Sequence, residues 1–468
     1  MRIHLESCHL SRVSGFLDPA PAGAAVVVRI GGHEAVVPAR TPRADLPVPS
    51  AFCHEIGEEE RKALRGGATI EVGLPGAEAP QHVIRPSRLG FKGIAFAIPA
   101  GQVHGRDDVS WYEAEQVEKN LFHYHNIGDS FVYDSSLKVL EATGFTTLPI
   151  AKINDAVIDQ VNADCSAVVL RGSNYFHRHM DWMHAEKVFA RITVPIICFG
   201  CGIQVPDGSP LSLTAAQIRV LHILADKAAW IGVRGARSAE QLADFGVKNL
   251  KIIGCPTLFR HRDPGLAIDG FDYDATRKVA FNVRREVNSD YATHPRRYLL
   301  RHRAIMDHFI RAKEVTVMTH GEVEEKIFAF KAEAHIAKAE QTLKSQGWFQ
   351  GEDDPLLQLY RERIFYSDYV KDYDSFARTQ DLVTGYRLHG NLISLANAVP
   401  SFYMVYDDRT EEICETFSIP SFDVRKDAPF SQDLLRAPGL FDRFNAAVPG
   451  NYRAMTRFLE ECGVPHRM

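Results

Sequence analysis

Along residues 1–110 the apolar positions come in short runs. AAVVVRI, HEAVVPA, ATIEVGL, QHVIRPS and IAFAIPA are separated by turns such as Gly31–Gly32, Arg65–Gly67 and Leu74–Gly76. Short β-like runs between glycine and proline turns predict a small antiparallel sandwich. Only GEEERKALRG reads as a helical segment within it.

From Trp111 the pattern changes to strands alternating with helices. KNLFHYHNIGDSFVYDSSLKVLEATG reads as strand, polar turn and amphipathic helix. CSAVVLRGSNY, VPIICFGCGIQVP, WIGVRG and LKIIGCPTLF are apolar strands, with helices LTAAQIRVLHILADKA and ARSAEQLADFG between the later ones. Continuous apolar strands joined by helices imply a parallel sheet covered on both faces. HRDPGLAIDGFDYDATRK reads as a linker, and a second series follows it. Strands KVAFNVRRE, EVTVMTHGE, RIFYSDYV, DLVTGY and PSFYMVY alternate with helices, one of them the long run EVEEKIFAFKAEAHIAKAEQTLKSQ. The expected architecture is α/β, with two Rossmann-like lobes facing a cleft and a β-rich domain before them. The expected boundaries are a β-rich accessory domain at 1–110, lobes at 111–265 and 276–425, and a helical tail at 426–468 that packs back on the lobes.

Composition narrows the function. The 468 residues are 45% hydrophobic and 24% charged, with a formal net charge of −5. That balance disfavours a protein whose whole surface binds nucleic acid. The first twenty residues lack the basic start and apolar run of a signal peptide, and no window of about 18 apolar residues suggests a membrane span. Eight scattered cysteines fit a reducing, cytoplasmic setting.

In such sheets ligands bind at the carboxyl ends of strands. HNIGDS offers Asn126 as a helix cap and Gly128 as a turn, so the helix start would either be simply capped or receive an anion. LRGSN and FGCGIQVP carry Gly172, Gly200 and Gly202, which are either tight turns or room for close backbone approach. Cys198 and Cys201 match CxxC, but within an apolar strand and before no helix, so a redox or metal role is disfavoured. The histidines of FHYH and FHRHMDWMH lack a metal-binding spacing, and Tyr175, Trp182 and the histidines of the second suit an acceptor sugar loop. Arg234 ends a strand, with Arg237 a turn later and Ser238 as a capping residue; either a salt bridge or an anion pocket would explain it. Arg284, Arg285, His320 and Glu322 end strands of the second lobe. Finally GYRLHGN sets Arg387 and His389 two apart, on one side of an extended segment before a helix beginning at Gly390–Asn391. A structural ion pair is one reading. A site that binds an anion and moves a proton is the other.

HNIGDSFVYDSSLKVL, ICFGCGIQVP, IGVRGARSAEQLADFGV, VKNLKIIGCPTLF and DLVTGYRLHGNLISLANAVPSFYMVYD, in this order, resemble the polysaccharide pyruvyl transferase family. The resemblance spans roughly residues 120–425 and is carried most strongly by Arg387-Leu388-His389-Gly390. It departs at Gly235, where an acidic residue is usual, at Arg171-Gly172-Ser173-Asn174, where a run of glycines is usual, and at Asp408-Arg409, where a lysine is usual.

The resemblance implies a two-lobed, GT-B-like enzyme of surface-polysaccharide biosynthesis. It would move the pyruvyl group of phosphoenolpyruvate, a co-substrate, onto a sugar diol of a bacterial glycan or its precursor, forming a ketal, with no cofactor or metal. Arg387 and Arg234 would hold the donor, the backbone at Leu388 would position it, and His389 would be the general acid. Arg237, Asn126, Gly128, Gly200, Gly202, Arg284 and His320 complete the expected donor site. A lipid-linked acceptor would bring the enzyme to the inner face of the membrane without a spanning segment; the oligomeric state is left open. The alternative is a GT-B glycosyltransferase using a nucleotide sugar, which predicts an acidic pair such as Glu-x7-Glu that Asp407–Glu415 does not supply.

Overall fold

The computed structural model describes the chain except for residues 10–11, 42–49, 66–67, 85–92, 106–107, 112–120, 124, 143, 152, 181, 183 and 288–293. The N-terminal region holds two antiparallel sheets. One is built from Arg2–His9, Arg12–Asp18 and Ala51–Glu55, the other from Ala25–Ile30, His33–Pro38, Ile70–Gly73 and His82–Ile84. Val13, Leu17, Val26, Val28 and Ile70 pack between them.

The last run assigned to this sandwich belongs elsewhere. Gly93–Ala97, from IAFAIPA, pairs in parallel with Phe145–Leu148 and with Cys165–Arg171, inside the first lobe's sheet. All its residues from Ile94 to Ala97 are fully buried, as a strand covered on both faces must be. The strand expected just before HNIGDS is absent among the described residues 121–123 and 125–126. Gly93–Ala97 takes its place as the lobe's first strand.

The first lobe continues with Ile196–Cys201, Ile231–Val233 and Leu250–Ile252, giving the spatial order 2-1-3-4-5-6. The second lobe's strands are Lys278–Asn282, Glu314–Met318, Ile364–Phe365, Leu382–Gly385, Ser401–Val405 and Ser421–Asp423, in the order 3-2-1-4-5-6. Each order reverses once, and ligands settle at such reversals. In the first lobe the reversal lies beside Ile98 and Arg171. In the second it lies between Asn282 and Gly385, where backbone is so close that a Cβ on Gly385 would lie 2.3 Å from the Asn282 carbonyl.

The two lobes are firmly joined. Helix Ile127–Val139 of the first packs on helix Leu388–Ala396 of the second, with Phe131, Leu137, Leu392 and Ile393 in one apolar cluster. Ile127 donates its backbone N–H to the His320 carbonyl at 2.9 Å. Arg260, with no side-chain exposure, bonds Asp134 of one lobe and Asp374 of the other at 2.6 Å each. The segment read as a linker is packed in: Asn445 bonds both the N–H and the carbonyl of Ile268. The long helix expected over 322–346 is broken into Val323–Ala329 and Glu333–Ser345, with Lys331 at φ 51° between them. Helix Asp442–Glu461 returns to the first lobe, where Phe458 stacks on Phe199 and the Glu141 N–H bonds the Pro465 carbonyl at 2.8 Å. Among the described residues no helix is long and apolar enough to cross a membrane.

Candidate active site

A cleft of about 900 Å³ opens where the two reversals face each other. Arg387 and His389 line it, but not as neighbours on a strand. Arg387 is the N-cap of helix Leu388–Ala396 and His389 already lies in its first turn. The helix therefore starts two residues earlier than GYRLHGN suggested, and its opening amides, which have no intrahelical partner, face the same space.

Arg387 is held on all sides. Its N–H donates to Asn282 Oδ1 at 2.6 Å, its Nε donates to the Val283 carbonyl at 3.1 Å, and its Nη2 pairs with Glu322. Glu322 is fully buried; burial alone would raise its pKa, but the Arg387 charge holds it below the ordinary glutamate value. The acidic partner that sequence spacing left unnamed is thus present. Glu322 comes from the loop after the second strand, and it anchors Arg387 instead of lining the cleft.

Arg234 is different. It is 2% exposed, yet its bonds go only to neutral oxygens: Nε to the Gly200 carbonyl at 3.2 Å and Nη1 to Asn174 Oδ1 at 2.6 Å. Among the described residues no carboxylate bonds the guanidinium, although the Glu412 charge lies within its electrostatic reach, and a buried cation so placed is costly unless an anion joins it. Gly202 is required here, because a Cβ would lie 3.0 Å from Arg234 Cδ and 2.7 Å from Asn174 Oδ1. Gly200 adopts φ +81°, and a Cβ there would lie 2.9 Å from the Gly254 carbonyl.

His389 is 7% exposed and its Nε2 has no hydrogen-bond partner. Its pKa is pushed well below the ordinary histidine value, first by burial and then by the charges of Arg234, Arg171, Arg409 and Arg387. The ring is neutral at neutral pH. His320 is likewise buried in the cleft wall, and its pKa is also depressed, by burial and then Arg387. Its Nε2 is packed towards Gly390, where a Cβ would lie 2.8 Å away.

Asn126 caps helix Ile127–Val139, accepting from Gly128 N–H at 3.2 Å, so a second helix N-terminus points at the cleft. Leu388 and Arg284 also line it, with Arg284 set 5.4 Å from the Tyr406 ring. The structure adds two arginines that motif reading passed over. Arg171, at the first lobe's reversal, bonds the Ile98 carbonyl at 2.8 Å and pairs with Asp129 at 3.4 Å. Arg409 is tied to Asp407 and Tyr406.

Arg237 is not in the cleft. It pairs with Asp408 at 2.6 Å, as part of a clasp in which the Gly208 N–H also bonds Asp408 and Arg425 joins it at 2.7 Å. Ser238 is no cap: the helix starts at Ala236, and Ser238 instead donates to Glu412 through both N–H and Oγ. Gly235 makes room for this, since a Cβ would lie 2.3 Å from Glu412 Cγ. An acid from the opposite lobe thus sits next to the position where the family has its own. Arg285 is taken by Glu324 and Glu325.

The aromatic acceptor loop is only half as expected. His177, Arg178, His179 and Met180 line the cleft, whereas Trp182 is 3% exposed and stacks in the core on Phe176. Among the described residues no group of His, Cys, Asp and Glu is placed to hold a metal ion.

No curated protein matches the sequence. Solved structures that resemble the chain include UDP-GlcNAc 2-epimerase from Neisseria meningitidis (7% identity, 79% of this chain and 98% of that one, TM-score 0.38). Another is UDP-GlcNAc 2-epimerase from Methanocaldococcus jannaschii (9%, 71% and 88%, TM-score 0.36). A third is the trehalose 6-phosphate synthase of Burkholderia multivorans (10%, 80% and 98%, TM-score 0.37). The family model for polysaccharide pyruvyl transferase matches residues 126–408, which takes in Asn126, Arg171, Arg234, Arg284, His320, Arg387 and His389 of the cleft, with Arg409 one residue beyond it. The chain belongs to the polysaccharide pyruvyl transferase family.

Proposed function

We propose that this protein transfers the enolpyruvyl carbons of phosphoenolpyruvate to two hydroxyls of a sugar, forming a pyruvate ketal and releasing phosphate. The observation that carries this reading is the pairing of Arg234, a buried cation bonded only to neutral oxygens, with His389, a buried imidazole whose Nε2 has no partner. The first calls for an anion and the second can handle a proton beside it.

In this reading Arg234, Arg387 and the opening amides of helix Leu388–Ala396 hold the donor's phosphate and carboxylate. The resting imidazole is neutral, so the acid form must arise with the donor. The donor's negative charges offset the surrounding arginines and raise the His389 pKa. His389 then protonates the methylene carbon, and the adjacent carbon gains oxocarbenium character. One sugar hydroxyl adds there, the bond from that carbon to the phosphate oxygen breaks with its electron pair leaving on phosphate, and the second hydroxyl adds to the same carbon to close the ketal. Of the two hydroxyl protons, one replaces the proton His389 gave and the other leaves on the phosphate. No redox step is involved.

The test is phosphate release from phosphoenolpyruvate in the presence of a panel of sugar diols. Release by the wild type and its loss in His389→Ala is the expected result. Release that His389→Ala leaves untouched would overturn the mechanism. Thermal stabilisation by a uridine or guanosine diphosphate sugar, and none by phosphoenolpyruvate, would point to a glycosyltransferase instead.

A further inference from the structure

The cleft is rich in arginine, and Ile98, Met180, Val205 and Leu388 make part of its wall apolar. Two large aromatics stand among its lining residues, Tyr175 and Trp111. Tyr175 is 4% exposed and belongs to the first lobe's core. Trp111 is only half-buried, and so contributes apolar surface to the cleft wall. Phosphoenolpyruvate is a small trianion and has little use for an indole face. The cleft, at about 900 Å³, is also far larger than such a donor requires.

Trp111 is built to stay where it is. Its ring lies on His125 with centroids 4.5 Å apart and planes 5° apart. Tyr366 packs edge-on to His125 from beneath, at 6.2 Å, and its hydroxyl lies 3.1 Å from His125 Nε2. The Trp111 backbone N–H donates to the Asp368 carbonyl at 2.9 Å, and Ser110 bridges to Tyr369, so the residue is fastened to the second lobe. Burial, followed by the nearby Lys326 charge, pushes the His125 pKa down to about 2, which keeps that ring neutral beneath the indole. Asn126, next in sequence to His125, caps the helix whose Gly128 supports His389. The indole is therefore attached to the same short segment that positions the proposed acid.

We infer that Trp111, stacked on His125, is the platform for the acceptor: a pyranose ring that lays its C–H face on the indole while its hydroxyls point towards His389. A sugar ring has one apolar face and polar edges, which matches an aromatic wall in a hydrogen-bonding cleft. Because Trp111 is fixed before ligand arrives, binding orders little of the protein. The inference rests on the pyruvyl-transfer reading for its reaction, but not for the sugar contact itself.

The experiment is saturation-transfer NMR on the full chain with methyl β-galactopyranoside, methyl β-glucopyranoside and methyl β-mannopyranoside, without donor. The wild type is expected to transfer magnetisation to the ring C–H protons of at least one. Trp111→Ala should abolish that transfer, Trp111→Phe should retain part of it, and thermal stabilisation by phosphoenolpyruvate should be the same in all three proteins. In turnover, Trp111→Ala should raise the acceptor KM roughly tenfold and leave the donor KM alone. No transfer to any glycoside in the wild type, or equal transfer in Trp111→Ala, overturns the platform. So does loss of donor stabilisation in Trp111→Ala, which would mark a structural role. Sugar contact without any stabilisation by phosphoenolpyruvate would leave the platform standing and remove the donor reading.

Discussion

His389 rests against Gly128 of the opposite lobe: a Cβ on that glycine would lie 2.8 Å from His389 Nδ1. The proposed acid is carried by the second lobe but positioned by the first. Gly128→Ala should therefore push the imidazole aside. The expected outcome is a fall in kcat of at least about tenfold, a displacement worth roughly 1.4 kcal/mol of transition-state stabilisation. Stabilisation by phosphoenolpyruvate should persist, since Arg234 is untouched. Steady-state kinetics with a parallel melting series checks both.

Arg234→Gln separates binding from folding. Donor stabilisation should disappear, with a loss of about 1.5–3 kcal/mol in donor binding, the range for a hydrogen bond to a charged group. The unliganded protein should melt no lower than the wild type, because a buried cation that lacks a carboxylate has been removed. A large drop in the unliganded melting temperature would show Arg234 to be structural.

The depressed pKa of His389 predicts proton uptake. At pH 7 the unliganded ring is neutral, and a bound trianion should bring it a proton. Calorimetric titration of phosphoenolpyruvate in buffers of differing ionisation heat should show uptake approaching one proton, lost in His389→Asn. The same shift bears on stability. A histidine whose folded pKa lies below 6.5 takes up its proton first in the unfolded chain, so stability is full above that pH and falls as pH drops below it. His125, His302, His320 and His389 all have lowered values, so the unliganded protein should lose stability steadily between pH 7 and pH 5.

Arg260 joins the lobes through Asp134 and Asp374. Arg260→Met should leave two carboxylates buried without it, at a loss of about 3–5 kcal/mol. The penalty should shrink from pH 8 to pH 5, because the Arg260 charge helps to hold the Asp374 carboxyl below the ordinary aspartate value and without it that group takes up a proton more readily. Chemical denaturation at the two pH values measures the difference, and an equal loss at both would count against the assignment.

Much of this was legible in the chain, for physical reasons that differ by element. Strands such as Cys165–Arg171 and Ile196–Cys201 are apolar throughout, and only a sheet covered on both faces demands that. IAFAIPA is equally apolar, but its partners lie about 50 and 70 residues away, and local pattern does not reveal which sheet a strand joins. The Arg387–His389 motif stood out, yet its geometry did not, because one extended residue before a helix looks the same as the end of a strand. Glu322, 65 residues away, could not be linked to Arg387 by spacing. Arg171 was visible as a strand-end residue. Its role depended on Gly93–Ala97 being the neighbouring strand, and the misassigned domain boundary concealed that. Trp111 could not be recognised from sequence because what fixes it is not local: its ring stacks on His125, and its backbone N–H bonds Asp368 of the other lobe.

The returning C-terminal helix has a consequence for how the molecule is made. The first lobe's sheet is complete in sequence by Ile252, yet part of its covering is Phe458, and the end of helix Ile127–Val139 is tied down by Pro465 and Arg467. During synthesis the side of Phe199 that meets Phe458 must stay uncovered until more than 200 further residues have left the ribosome. The lobe begun first is therefore completed late, by Phe458 and the residues that follow it.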